Sequence, residues 1–168
     1  MTERKAWSEN PSVYWAEAFH LMNEGEFEAA IVKLKDAVEI YPEYYDAWLL
    51  LGGAQEAAGA IDEGIVSTEE AVAIARRELA LALTNLAYFH LTLADLSKAE
   101  AAYEEALRIE GPQAGVFYNL ACIFAKRGNQ ASALEHLKKA IALDPEYREV
   151  AGDDEDLENI REEVEQLP

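Results

Sequence analysis

Histidine and cysteine are the first candidates in this 168-residue chain for binding a transition metal or acting as a nucleophile, and their spacing argues against both roles. His20, His90 and His136 are far apart, and none has a cysteine or glutamate partner at the spacing of a metal site. Cys122 is the single cysteine, and pairing it with His90 would give a nucleophile with no evident orienting carboxylate. We therefore predict no catalytic residues, no metal site, no cofactor and no enzymatic activity.

Acidic residues near the C terminus are spaced like the ligands of a calcium-binding loop. Asp154, Asp156, Glu158 and Glu165 stand at the first, third, fifth and twelfth positions of such a loop. The loop needs a glycine at its sixth position for a sharp turn, and Asn159 stands there instead. Because an apolar stripe runs through the same residues, a solvated helix explains the pattern better than a calcium site does.

The elements that would position such residues are helices. Between Phe117 and Phe124 the large apolar residues recur at helical spacing, and Gly128 interrupts the pattern as a residue that tolerates positive φ. A second apolar stripe begins at Ala133 and is stopped by Asp144-Pro145. This stretch predicts two antiparallel helices joined by a tight turn.

The helix pair repeats along the chain with one period. The residue at the turn recurs with separations of 34, 35 and 34, at Gly25, Gly59, Ala94 and Gly128. A small residue in the second helix recurs with the same separations, at Ala37, Ala71, Ala106 and Ala140. Independent markers that share one period predict four repeats, at about residues 11–44, 45–79, 80–113 and 114–147.

Helix pairs with this period resemble the tetratricopeptide repeat, whose 34-residue pattern is W-x2-L-G-x2-Y, then A-x3-F, then P. The second repeat begins with the closest match, Trp48-x2-Leu51-Gly52. The resemblance covers about residues 11–145. It implies an all-α fold, a right-handed superhelix (solenoid) of four helix-turn-helix TPR units forming a single domain over 1–168.

The C-terminal residues predict a helix that caps this solenoid. The last repeat of a solenoid exposes an apolar face that must be covered, usually by a helix with a polar outer side. Apolar residues at helical spacing, Leu157, Ile160, Val164 and Leu167, run through the acidic tail. We therefore expect a capping helix at about 154–166.

The resemblance implies a non-catalytic protein–protein interaction module or adaptor. Family members bind a peptide or helix in a concave groove lined by the first helix of each pair. At the matching positions the chain is mostly apolar and aromatic, so we expect an apolar or amphipathic peptide segment. The predicted peptide-binding residues are Trp15, Phe19, Leu49, Leu50, Leu81, Asn85, Tyr88, Leu91, Tyr118 and Asn119.

Two of these assignments have alternatives that the sequence leaves open. Asn85 and Asn119 could hydrogen-bond an extended peptide, or they could hold a neighbouring helix in place. The aromatic residues could form an interface, or they could belong to the core, where aromatics at helical spacing are more common. The longest uncharged run, Leu79–Ala94, places the predicted centre of the groove in the third repeat.

The charge of the chain restricts its partners. The formal net charge is −19, which argues against nucleic acid and anionic membrane surfaces and favours a protein or peptide with basic flanks. The uncharged run of 16 residues is too short to span a bilayer. A single cysteine and an N terminus without the apolar core of a signal peptide predict a cytoplasmic location. A homodimer formed through the groove is a further hypothesis.

A dedicated chaperone is the alternative function. The chain resembles the small acidic tetratricopeptide chaperones of type III secretion in length and charge. Those proteins usually have three repeats after an N-terminal helical extension, whereas this chain enters its first repeat by residue 11. The resemblance therefore favours an interaction module over a secretion chaperone.

Overall fold

The computed structural model describes residues 10–165, and this part of the chain is built from helices. Over these residues there are nine α-helices, one 3₁₀ helix and no β-strand, which confirms the all-α prediction. The α-helices are α1 Pro11–Glu24, α2 Phe27–Ile40, α3 Tyr45–Ala57, α4 Ile61–Thr92, α5 Leu96–Glu110, α6 Ala114–Lys126, α7 Gln130–Leu143, α8 Tyr147–Asp153 and α9 Arg161–Glu165. The 3₁₀ helix, Glu155–Ile160, lies between α8 and α9.

Local sequence signals account for the ends of the first helix. The Asn10 side chain accepts a hydrogen bond from the Ser12 amide, and Pro11 occupies the first turn, where no amide donor is required. Gly25 follows the helix with φ 79°, a left-handed conformation that favours glycine. Gly59 and Gly128, which belong to the same repeat position, also have positive φ, and so does Ala94.

The fourth helix is longer than the repeat pattern predicts. We expected one helix to end and another to begin near residue 79, but α4 runs without a break through 32 residues. No glycine or proline occurs between Gly64 and Gly111, and the segment 75–78, Ala-Arg-Arg-Glu, is composed of good helix formers. No helix among residues 10–165 combines the length and apolarity needed to cross a membrane.

The chain divides into two compact units, and the division falls inside α4, between Arg76 and Arg77. In the first unit, α3 packs against both α1 and α2. The ring nitrogen of Trp48, at the start of the family-like motif, donates a hydrogen bond to the Pro42 carbonyl at 2.7 Å. The buried core of this unit consists of Ala18, Ala30, Leu34, Ala37, Val38, Ala47, Leu51 and Ala54.

The second unit, which begins at Arg77, has two apolar clusters. One cluster joins α4, α5 and α6 around the buried ring of Tyr103. The other joins α6 and α7 to the C-terminal segment through Leu137, Leu157 and Ile160. Small residues such as Ala121, Ala133 and Ala140 sit in this second cluster and allow the helices to approach closely.

The C-terminal segment covers α6 and α7 as expected, but not as one helix. We expected a helix over 154–166, whereas the structure has α8, then the 3₁₀ helix, then the short α9. Asp154 is extended (φ −78°, ψ 121°), and its carboxylate accepts the Asp156 amide, so the helix must restart there. Leu157, Ile160 and Val164 are buried, and Leu167 lies outside the described residues.

Candidate functional site

An apolar groove lies in the first unit, between α3 and the first part of α4. Its volume is about 580 Å³. Its lining is mainly aliphatic and includes three glycines. The groove is lined by Leu49, Gly52, Gly53, Glu56, Ile61, Gly64, Ile65, Thr68, Glu69 and Val72.

Two of the glycines bring the backbones of α3 and α4 into contact. A Cβ atom on Gly52 would lie 3.0 Å from the Gly64 carbonyl oxygen and 2.4 Å from the Thr68 hydroxyl. The Thr68 hydroxyl itself donates to the Gly64 carbonyl at 2.8 Å. In contrast, a Cβ on Gly53 would meet nothing within 4 Å, because that residue faces the open groove.

A buried polar pair fixes the two helices beside this glycine contact. The side chains of Gln55 in α3 and Ser67 in α4 are buried, and the Ser67 hydroxyl lies 2.6 Å from the Gln55 amide group. A buried hydrogen-bonded pair keeps its geometry because separating it would leave polar atoms unsatisfied. The groove is therefore held open by a well-defined crossing of two helices.

The chemistry of the groove suits an apolar ligand with positive charges at its edge. Leu49, Ile61, Ile65 and Val72 are exposed, and together they offer an apolar surface without a catalytic group. The ionisable lining residues are Glu56 and Glu69, both acidic. A ligand would complement this surface if it buried an aliphatic stripe in the groove and placed basic side chains next to these glutamates.

The predicted binding residues of the first unit occupy different positions. Trp15 and Phe19 stack on each other along α1, with ring centroids 5.0 Å apart, and Phe19 is exposed. Leu49 lines the groove. Leu50 is half-buried against the core formed by α1, α2 and α3, so most of its side chain serves packing.

In the second unit, three predicted residues lie on the exposed side of α4. Leu81, Asn85 and Tyr88 follow one another at helical spacing, and all three are exposed. Leu91 is half-buried and packs against the cluster around Tyr103. The predicted residue Asn119, on α6, is half-buried.

Tyr118, which was predicted as a peptide-binding residue, occupies a buried position. Its ring is buried in the cluster that contains the C-terminal segment, and its hydroxyl donates a hydrogen bond to the Asp154 carboxylate. Burial and the neighbouring carboxylate raise the pKa of this hydroxyl above its ordinary value, so it remains a donor. The C-terminal segment therefore packs directly against Tyr118.

Cys122, Asp154 and Asp156 have ligand atoms within 4.8 Å of one another, which is close enough to consider a metal site. Each carboxylate already has a partner, since Asp154 accepts from Tyr118 and Asp156 pairs with Lys126 at 2.8 Å. Burial raises the pKa of the Cys122 thiol to about 12, which disfavours the thiolate that binds metals. These contacts fit a network that ties the C-terminal segment to α6.

The sequence interpretation missed the half of the groove that belongs to α4. It placed binding residues on the first helix of each pair, whereas Ile61, Ile65 and Val72 lie on a second helix. A signal was present in the sequence: Gly64 stands where the repeat pattern has alanine. Thr68, which follows it by four residues, stands where the pattern has phenylalanine.

Comparison with protein families decides what the repeats are. Three models, each described as tetratricopeptide repeat, match residues 21–83, 80–112 and 114–147, which together make up more than half of the chain. The chain belongs to the tetratricopeptide-repeat family. This confirms the predicted family, and with it the general function of a protein–protein interaction module.

Among solved structures, the tetratricopeptide chain is similar to MamA proteins. A crystal structure of MamA protein is 19% identical, with 93% of this chain and 86% of that chain covered and a TM-score of 0.45. MamA (41-end) from Desulfovibrio magneticus RS-1 is 18% identical, with 83% and 78% covered and a TM-score of 0.39. No curated protein sequence matches this chain.

Proposed function

We propose that the protein is a non-catalytic interaction module that binds an amphipathic helix of a protein partner in the groove between α3 and α4. The observation that carries the proposal is an open, aliphatic groove of about 580 Å³ whose lining includes glycines. Gly53, which has open space where a Cβ would stand, lets a ligand approach the backbone closely, and aliphatic walls favour an apolar ligand surface.

The equivalent surface of the first repeat supports a helix as the ligand. Val38 and Leu34 of α2 stand 34 residues before Val72 and Thr68, at the same repeat positions. The helix α3 packs against α2, and Val38 is only 8% exposed, whereas Val72 is 52% exposed. In the first repeat this surface is covered by the helix α3, whereas in the second repeat the equivalent surface of α4 is open. An amphipathic helix from a partner could cover it in the same way.

Charge complementarity restricts the partner further. Glu56 and Glu69 are the ionisable residues that line the groove, and the chain carries a net charge of −19. A partner helix with lysine or arginine beside its apolar stripe would be attracted, and the attraction would weaken with added salt. Basic flanks are therefore part of the proposal.

A designed peptide tests this function. The probe is a fluorescein-labelled 18-residue peptide with leucines at helical spacing (i, i+3, i+4, i+7) and lysines at both ends. Its control has the same composition in a scrambled order without a stripe. Fluorescence anisotropy at low and high salt should show binding of the striped peptide, weakened by salt, and little binding of the scrambled one.

Two matched variants locate the site. Val72→Glu places a charge in the groove and should weaken peptide binding at least tenfold. Val66→Glu alters a residue of the same helix that is 58% exposed but does not line the groove, and it should leave binding unchanged. Equal effects of the two variants, or equal binding of the two peptides, would refute the proposed site.

A further inference from the structure

The second half of α4 exposes residues that the other repeats bury. Three positions of the first helix of a repeat normally pack against the preceding helix pair. They are occupied by Ala47, Leu51 and Ala54 in α3, by Ala82, Leu86 and Phe89 in α4, and by Val116, Leu120 and Ile123 in α6. The members in α3 and α6 are buried, whereas Leu86 is 45% and Phe89 is 61% exposed.

These exposed residues form a continuous apolar stripe, which we call the α4 seam. Its members follow one another at intervals of three and four residues, and all of them are exposed. The α4 seam consists of Leu79, Ala82, Leu86, Phe89 and Leu93. It lies within the longest uncharged run of the chain, Leu79–Ala94.

The groove and the α4 seam are the repeat counterparts of two surfaces that pack together within the first unit. In the first unit, Ala47, Leu51 and Ala54 of α3 share one buried cluster with Leu34 and Val38 of α2. One repeat later, Thr68 and Val72 take the positions of Leu34 and Val38, and both line the open groove. The positions of the three α3 residues are taken by Ala82, Leu86 and Phe89 of the α4 seam. The groove and the seam are present in every copy of the chain, and both are exposed.

One continuous helix cannot fold its second half back onto its first half. The groove-lining residues 61–72 and the α4 seam from Leu79 to Phe89 belong to the same helix, with a rise of about 1.5 Å per residue, and Leu93 follows directly after its end. A seam from another molecule can reach the groove without this restriction. Exchange of identical elements between copies is a low-cost route to a symmetric dimer.

We propose that the protein forms a reciprocal homodimer, in which the α4 seam of each copy occupies the α3–α4 groove of the other. The proposal rests on the proposed function of the groove and names its partner as a second copy of the chain. Charge complementarity supports it, since Arg76 and Arg77 stand three and two residues before Leu79, the first residue of the seam, and Glu56 and Glu69 line the groove. Two such contacts, related by a two-fold axis, would cover both exposed surfaces at once.

Sedimentation analysis and light scattering between about 1 and 100 µM test the dimer, against a chain mass of 18.7 kDa. The wild type should approach twice this mass. Val72→Glu in the groove and Phe89→Glu in the seam should each be monomeric. Val66→Glu and Leu143→Glu, two exposed aliphatic residues outside both surfaces, should remain dimeric. Circular dichroism checks that each variant is folded, and Leu93→Glu provides a second seam variant.

Mixing the two monomeric variants gives the decisive result. Val72→Glu retains an intact seam and Phe89→Glu retains an intact groove, so an equimolar mixture should form a heterodimer through one undamaged contact. Neither variant alone should do so. A monomeric wild type, or a mixture that stays monomeric while the wild type is a dimer, would overturn the proposed exchange.

The peptide experiment separates this inference from the function on which it rests. The groove of Phe89→Glu should be free, so this variant should bind the leucine-striped peptide at least as tightly as the wild type does. If the wild type is monomeric and the peptide binds, the groove serves a different protein and the homodimer is wrong. If the peptide does not bind to Phe89→Glu, the proposed function of the groove is wrong.

Discussion

Two adjacent glycines of α3 should respond in opposite directions to the same substitution. A Cβ on Gly52 would stand 3.0 Å from the Gly64 carbonyl oxygen and 2.4 Å from the Thr68 hydroxyl. A Cβ on Gly53 would meet nothing within 4 Å. Gly52→Ala should therefore destabilise the fold, whereas Gly53→Ala should stabilise it.

The expected magnitudes follow from these contacts. In a helix, alanine is favoured over glycine by about 1 kcal/mol, and Gly53→Ala should keep most of this gain. For Gly52→Ala the helices must move apart, since a backbone oxygen cannot rotate away, and such overpacking costs about 1–3 kcal/mol. Thr68 would also give up its hydrogen bond to Gly64, at about 0.5–1.5 kcal/mol. The net loss should be about 1–3 kcal/mol.

Urea denaturation followed by circular dichroism measures both changes. The midpoint should fall for Gly52→Ala and rise for Gly53→Ala, with similar slopes if the denatured states are alike. Combining Gly52→Ala with Thr68→Ala should recover only part of the loss, because the contact with the Gly64 carbonyl remains. If Gly52→Ala were as stable as Gly53→Ala, the close crossing of α3 and α4 would be wrong.

Two further predictions concern the second unit. Ile160→Ala should lower the free energy of unfolding by about 2–5 kcal/mol in urea titrations, because this fully buried residue joins the C-terminal segment to α6 and α7. An unchanged urea midpoint would show that the C-terminal segment does not cover these two helices. Stability should also fall in alkali. Burial raises the pKa of the Cys122 thiol and of the Tyr103 hydroxyl to about 12, from ordinary values of 9.0 and 10.0. The contribution of these two groups to the free energy of unfolding is therefore complete below pH 9 and is lost as the pH rises towards 12. Melting temperatures recorded from pH 8 to 12 should decline over that window, less steeply for Cys122→Ala, and a flat profile would contradict the burial of both groups.

The repeat pattern was sufficient to predict the family and most helices. Turn residues such as Gly25 and Gly128 mark where helix pairs turn because they can adopt positive φ. The pattern could not predict that α4 is continuous, because a repeat period shows which residues are equivalent but does not show where a helix ends. The absence of glycine and proline between residues 65 and 110 was the available signal.

The candidate site was only partly accessible from the sequence. Leu49 was predicted and lines the groove, but the contribution of Ile65 and Val72 depends on which surface of a helix pair is left open. Tyr118 was predicted as a groove residue because it lies on the first helix of a repeat, and it stands 69 residues after Leu49 at the same repeat position. The C-terminal segment, with Asp154 on the Tyr118 hydroxyl, covers that position in the last repeat. Equivalent positions thus differ in role because different elements pack against them.

The middle of α4 also offers a protease a cleavage site between the two compact units. Arg76 to Leu79 are exposed on a helix, so side-chain burial adds little to the local stability of this segment. A brief opening of one or two turns there would present Arg76 and Arg77, after which trypsin cleaves, while the apolar clusters on either side stay intact. Cleavage at this point would divide the chain at the boundary between its two compact units, each of which has a buried core of its own.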